Sequence, residues 1–195
     1  MKIFLETERL VLRPFTAVDA GRLFELDSDP EVIRFTPEAG QPPDYTVIQT
    51  RILPKFLTYY EKYEGYGVWA ALEKSSQKFI GWFFFRPAVE APYFNPVLAN
   101  PTDVELGYRL RKAAWGKGYA TEGAKGLIIK GFSDLGVQRV VSVALVANIA
   151  SIRVLEKSGL KLQQKFVDEK LGQEVVIYDL QREEFKLENA AQRKI

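Results

Sequence analysis

The run Trp115-Gly-Lys-Gly-Tyr-Ala-Thr-Glu122 constrains this chain more than any other stretch. Gly116 and Gly118 let backbone N–H groups turn inward with no Cβ in the way. Immediately afterwards, the apolar spacing of Ala120, Ala124, Leu127, Ile128, Phe132 and Leu135 predicts a helix, with Gly136 placed as a left-handed C-cap. Before the run, residues 103–110 alternate as a strand. Val104, Leu106, Tyr108 and Leu110 fall on one face, and Glu105, Gly107 and Arg109 on the other. A strand thus turns on glycine into a helix. The unsatisfied first-turn N–H groups and the positive helix end favour a phosphate or pyrophosphate just outside Ala120, where Lys117 adds a charge. The same residues also read as a plain tight turn, and the loop alone does not separate the two.

The rest of the chain alternates strand and helix. Arg9 to Arg13 reads as a first strand, and Thr16 with Asp19 reads as a helix N-terminus leading into Ala20, Leu23, Phe24 and Leu26. Ile48, Ile52, Phe56 and Tyr59 or Tyr60 mark a helical stretch that Pro54 should kink or divide. Residues 67–72 and 78–86 read as two strands joined by a polar turn, with Gly81 marking a bulge or a close backbone approach. The aromatic density of Trp69, Trp82, Phe83, Phe84 and Phe85 fits core packing first and a ligand-lining face second. Val137 to Val146 is almost continuously apolar, as in a strand covered on both faces. Asn148 caps a helix through Ile149, Ile152 and Leu155 that ends at Gly159. Residues 160–166 and 174–180 form a hairpin through Gly172, and the charged residues beyond read as a frayed end. Two Pro-containing stretches, 38–45 and 87–102, are candidate lids, the second carrying Tyr93 and Phe94 and reading also as a dimer contact.

A length of 195 residues with 47% hydrophobic residues suits one well-buried domain over 1–195. With 27 basic and 25 acidic residues the net charge is +2, and no basic block or basic–aromatic stripe points to nucleic acid. The chain has no cysteine and no histidine, which removes thiol nucleophiles, Cys-ligated zinc and the commonest metal ligand and general base. No metal is expected, and proton transfer falls to carboxylates, hydroxyls, amines or water. Acid interrupts the N-terminal residues too early for a signal peptide, and no apolar run approaches the ~20 residues of a membrane span, so the expected location is cytoplasmic.

Glu105-Leu-Gly-Tyr-Arg-Leu110 before the loop, and Asn148-Ile-Ala-Ser151 with Leu155-Glu-Lys-Ser-Gly159 after it, resemble the acetyl-CoA-binding core of the GNAT superfamily of N-acetyltransferases. The family loop, Arg/Gln-x-x-Gly-x-Gly/Ala, falls on Trp115, Gly118 and Ala120. Trp115 departs from that pattern, and a Trp here is similar to the W-G-x-G-Y-A loop of the RimJ/RimL-like branch. Residues 7–14 and 29–35 resemble the N-terminal signature of the same branch, so the resemblance spans nearly the whole chain.

What the resemblance implies is an α/β (α+β) fold, a central mixed but mostly antiparallel sheet flanked by helices, with acetyl-CoA as co-substrate. Backbone N–H groups from Gly116 through Lys117, Gly118, Tyr119 and Ala120 to Thr121 would receive the pyrophosphate. The main chain of Tyr108, Arg109 and Leu110 would run beside the pantetheine arm, and Asn148 would hydrogen-bond that arm from the other side. Glu105 is the candidate base towards the acceptor amine, although it also reads as half of an ion pair with an Arg such as Arg109. Ser151 is the candidate donor to the leaving thiolate, with Tyr108 as its substitute. The acceptor is a primary amine. It is a protein N-terminal α-amine on the branch resemblance, with a polyamine or antibiotic amine as the alternative. A non-catalytic CoA-binding module is the reading from another class. A Walker-type phosphotransferase fits poorly, because no Ser or Thr follows Lys117 and the earlier glycine is missing.

Overall fold

A computed structural model of the chain describes residues 2–36, 40–91, 99–169 and 172–192. Eight strands form one sheet in the order β1-β2-β3-β4-β5-β6-β8-β7. The strands are β1 (Leu5–Glu6), β2 (Leu10–Pro14), β3 (Gly67–Glu73), β4 (Phe79–Pro87), β5 (Val104–Leu110), β6 (Arg139–Leu145), β7 (Lys161–Asp168) and β8 (Gln173–Gln181). Neighbours are antiparallel except β5 and β6, which run parallel. That parallel pairing covers only Val104↔Val140 and Glu105↔Val141, beyond which the two strands separate. The sheet therefore opens as a wedge in its middle.

Alternation along the strands divides the core in two. On one side Leu10, Leu12, Phe83, Phe85 and Leu106 pack against α5 (Tyr119–Ser133) through Leu127, Ile128 and Phe132. On the other, Val11, Val68 and Ala70 meet α1 (Ala20–Asp27) through Leu23 and Leu26. Thr16 and Asp19 form the expected capping box before α1, and Asp29 caps the short α2 (Pro30–Ile33) by accepting from the Glu31 amide. Pro54 divides its helical stretch as expected. A short α3 (Tyr45–Val47) widens into a π-turn over Ile48–Ile52, and α4 (Leu53–Lys62) starts afresh with Pro54 in its first turn, where a missing N–H is harmless.

At Gly81 the β3–β4 register slips, and a Cβ there would lie 2.1 Å from the Arg109 carbonyl oxygen. Only glycine lets β4 and β5 approach so closely. The helix α5 ends two residues before the expected Leu135, with Gly136 in the left-handed region at φ 71°. Asn148 caps α6 (Ile149–Lys157), and Gly159 turns the chain into β7. One expectation is overturned. Within the described residues, the charged segment after the last strand does not fray but forms α7 (Arg182–Gln192), because Phe185 packs at a tilt on Phe132 with ring centroids 5.1 Å apart and gives the segment an apolar anchor. Among the described residues no helix is long and apolar enough to cross a membrane.

Candidate active site

The wedge between β5 and β6 is a cavity of about 850 Å³. Its walls bring together every candidate residue except Lys117: Glu105, Tyr108, Arg109 and Leu110 from β5, Gly116, Gly118, Tyr119, Ala120 and Thr121 from the loop and α5, and Asn148 and Ser151 from α6. Beyond Glu105 the edge of β5 facing β6 has lost its strand partner, although Ser142 Oγ reaches across to donate to the Leu106 carbonyl at 2.8 Å. The remaining main-chain groups of that edge are placed to pair with an extended arm as a further strand would.

At the mouth, the loop turns on Gly116 (φ 73°) and Gly118 (φ 82°), values that favour glycine. The Glu122 amide donates to the Gly118 carbonyl at 3.0 Å and opens the helical bonding of α5. The amides just before it are the orphan donors of a helix start. Trp115 uses its indole N–H on the Leu110 carbonyl at 2.8 Å, tying the loop to the end of β5. Lys117 is exposed and outside the cavity lining, and its carbonyl accepts from Arg9 Nη1 at 2.9 Å.

That contact belongs to a brace that sequence reasoning did not find. Arg9 donates through Nε to Glu122 Oε2 at 2.6 Å and through its amide to Oε1 at 2.7 Å, and its guanidinium lies 4.8 Å from the centre of the Tyr119 ring. Thr7 Oγ1 adds a bond to Glu122 Oε1 at 2.6 Å. Burial alone would raise the Glu122 pKa, but the bonds from Thr7 and Arg9 outweigh it and hold the carboxylate below its usual range. An acid in the first turn would oppose an anion at the cradle, and Arg9 cancels that charge. The signal available in sequence was Glu122 itself, an acid whose partner had to come from elsewhere in the chain.

Deeper in the cavity, Glu105 is buried and takes two Arg86 nitrogens on Oε2, at 2.9 and 2.8 Å. Its ion-pair partner is thus Arg86, one strand over in register with it, rather than Arg109. Arg109 turns to Asp27 on α1, at 2.7 Å. Tyr108 Oη donates to the Ser151 carbonyl at 3.1 Å and lies 3.1 Å from Ser151 Oγ, so the two candidate donors form one hydrogen-bonded unit. Burial pushes the Tyr108 phenol above its ordinary value, and the Ser151 contact offsets this only in part, so the phenol stays protonated. Asn148 Oδ1 accepts from the Ser151 amide at 3.2 Å, which leaves the amide NH₂ of Asn148 for other contacts.

The aromatic strand β4 divides as its alternation allows. Phe83 and Phe85 are fully buried in the core, while Trp82 and Phe84 line the cavity. Of the two candidate lids, residues 38–39 and 92–98, with Tyr93 and Phe94, lie outside the described residues. The described ends of the second, Ala88, Ala91 and Ala99, line the cavity.

The family model described as "Acetyltransferase (GNAT) domain" matches residues 9–161. A relative from Aspergillus fumigatus named FsC-acetyl coenzyme A-N(2)-transacetylase is 28% identical over 162 residues, covering 83% of this chain and 66% of its own length. The uncharacterized protein YkkB of Bacillus subtilis is 30% identical over 164 residues, covering 82% of this chain and 86% of its own. Among solved structures, the aminoglycoside acetyltransferase AAC(6')-Ib with paromomycin and acetyl-CoA superposes with a TM-score of 0.76 at 20% identity, over 92% of this chain and 97% of that one. RimL, a ribosomal α-N-protein acetyltransferase in complex with coenzyme A, gives 0.74 at 14% identity, over 92% and 98%. These solved structures share the fold, and the family model that spans residues 9–161 gives the family: the chain belongs to the GNAT family of N-acetyltransferases.

Proposed function

We propose that the chain transfers an acetyl group from acetyl-CoA directly to a primary amine, with the α-amine of a peptide or protein N-terminus as the first candidate acceptor. The observation that carries this reading is a single cavity lined at its mouth by the glycine cradle and deeper by Glu105, Tyr108 and Ser151. In this reading the pyrophosphate of acetyl-CoA sits on the loop and first-turn amides, its pantetheine arm pairs with the open edge of β5, and Asn148 donates to it from the facing wall.

The amine nitrogen attacks the thioester carbonyl carbon, a C–N bond forms, and the C–S bond breaks as the tetrahedral intermediate collapses. The ammonium proton passes to Glu105, directly or through water. The thiolate takes a proton from the Tyr108–Ser151 hydroxyl pair. Burial keeps the phenol in the protonated form that can donate, and the proton the pair gives up is replaced from solvent as coenzyme A leaves. With no Cys or His in the chain, the alternative of an acyl-enzyme falls to a Ser or Lys.

Rapid-quench mass spectrometry tests the direct route. Acetyl should move from thioester to amine with no kinetically competent acetylated protein, whereas an acetyl-protein formed and consumed at the rate of turnover overturns it. The small-molecule reading keeps one support, the relative named as a transacetylase of FsC.

A further inference from the structure

The acceptor half of the cavity has already spent its carboxylates and its aromatic faces on its own arginines. Arg86 pairs with Glu105 at 2.8 Å and stacks over Phe84, its Cζ 4.3 Å from the ring centre. Arg109 pairs with Asp27 at 2.7 Å and lies over Trp82 at 5.2 Å. Arg34 pairs with Glu31 at 3.5 Å and lies over Phe35 at 4.3 Å. Three cations thus occupy three acids and three ring faces, the two features a protein uses to hold an organic cation. Asp168, the remaining acid in the lining, is engaged as well.

The lining as a whole leans positive. Its acids are Glu31, Glu105 and Asp168, and its bases are Arg34, Arg109, Arg153 and Lys157, a balance of three to four among the described residues. A ligand with several ammonium groups would enter a wall that repels it, or would have to displace arginines from carboxylates that are almost fully buried in the case of Asp27 and Glu105. What remains on offer is apolar: the half-buried Val32, Phe35 and Phe84, with Trp82, Ala88 and Ala91 almost fully buried in the same wall.

Resting on the transfer reading above, we infer that the acceptor carries a single amine with an apolar group beside it, either as a free aryl- or alkylamine or as the first residue of a peptide, and that polycationic amines are excluded. One amine meets Glu105 beside Arg86, whose two bonds stay on Oε2 and need not be displaced, and loses its proton there. The apolar group fills the surface between α2 and β4.

The test is equilibrium binding to protein saturated with coenzyme A, which is independent of turnover. Phenethylamine and a short peptide amide beginning with Phe should bind at least about tenfold more tightly than spermidine, kanamycin or the same peptide beginning with Lys. The two apolar probes separate a free amine from a peptide terminus. Spermidine or kanamycin binding as tightly as the apolar probes, or neither apolar probe binding, overturns the inference. Binding without acetylation leaves the inference standing and sinks the transfer reading instead. As a second arm, Arg34→Ala releases Glu31 at the exposed rim and should tighten spermidine by up to about fivefold, in a salt-sensitive way. No change there would show that the arginines do not set the charge selection.

Discussion

The two halves of the cavity are built from different materials. In the proposed reading the cofactor half is main chain: loop amides on left-handed glycines, the open edge of β5 and the start of α6. The acceptor half is side chain, an arrangement of arginines, carboxylates and aromatic rings contributed by α1, α2, β4 and β5. A surface of backbone donors depends on the path of the chain and tolerates change in most side chains. A surface of ion pairs changes its preference with a single substitution. The contrast accounts for a shared cofactor among proteins whose acceptors differ.

The largest effect that bears on this contrast belongs to Glu105, where the two halves meet. Glu105→Gln should lower kcat by about 10²- to 10⁴-fold and blunt its rise with pH. Steady-state pH profiles check this, alongside a melting curve, because Arg86 loses its charged partner in the same variant. Retention of more than a third of the wild-type kcat would make Glu105 a structural ion pair only.

Next comes the hydroxyl pair. Ser151→Ala and Tyr108→Phe should each lower kcat roughly 10- to 100-fold with CoA affinity little changed. The 3.1 Å contact between the hydroxyls further predicts that the double variant loses much less than the product of the two. Additive losses would mean that the two groups act separately.

Arg9→Ala separates the halves from behind. It removes the charge that neutralises Glu122 and the bond to the Lys117 carbonyl, so the acetyl-CoA dissociation constant should rise about three- to tenfold. At saturating acetyl-CoA, kcat should stay within about twofold. A fall in kcat with affinity intact would place Arg9 in the chemistry instead of the brace.

How much of this was legible in the sequence follows the same division. The path of the loop was readable because glycine declares unusual backbone: Gly116 and Gly118 do turn left-handed, and Gly81 marks both a bulge and a close approach. Asn148 as a cap and Gly159 as a helix stop were readable for the same local reason. Pairings across the sheet were not. Arg86 and Glu105 meet because β4 and β5 share a register, and Arg9 meets Glu122 across 113 residues of sequence. The helix α7 was missed because its charge pattern gives no sign that Phe185 will find Phe132.

Outside the cavity, the expected effect is on stability in acid. Burial alone would raise the Asp19 carboxyl, but bonds from Arg13 and Thr16 outweigh it and bring the pKa down to about 2. A group depressed below its unfolded value of ~3.9 contributes fully above that pH and loses its contribution as the pH falls towards 2. The contribution is on the order of 2 kcal/mol. Denaturant unfolding between pH 5 and about 2 should show that loss, and Asp19→Asn should remove it from the profile. An unchanged slope in the variant would assign the acid sensitivity to other carboxylates.

The central claim is that backbone donors of the glycine loop hold the cofactor, and calorimetry of coenzyme A with Gly118→Pro addresses it most directly. Gly118 sits at φ 82°, which proline cannot adopt, and the substitution also deletes one amide donor at the cradle. A variant that keeps its far-ultraviolet circular dichroism should bind coenzyme A at least about 100-fold more weakly than the wild type, with the loss following from the backbone alone. Wild-type affinity in that folded variant would contradict the account and move the pyrophosphate away from this loop.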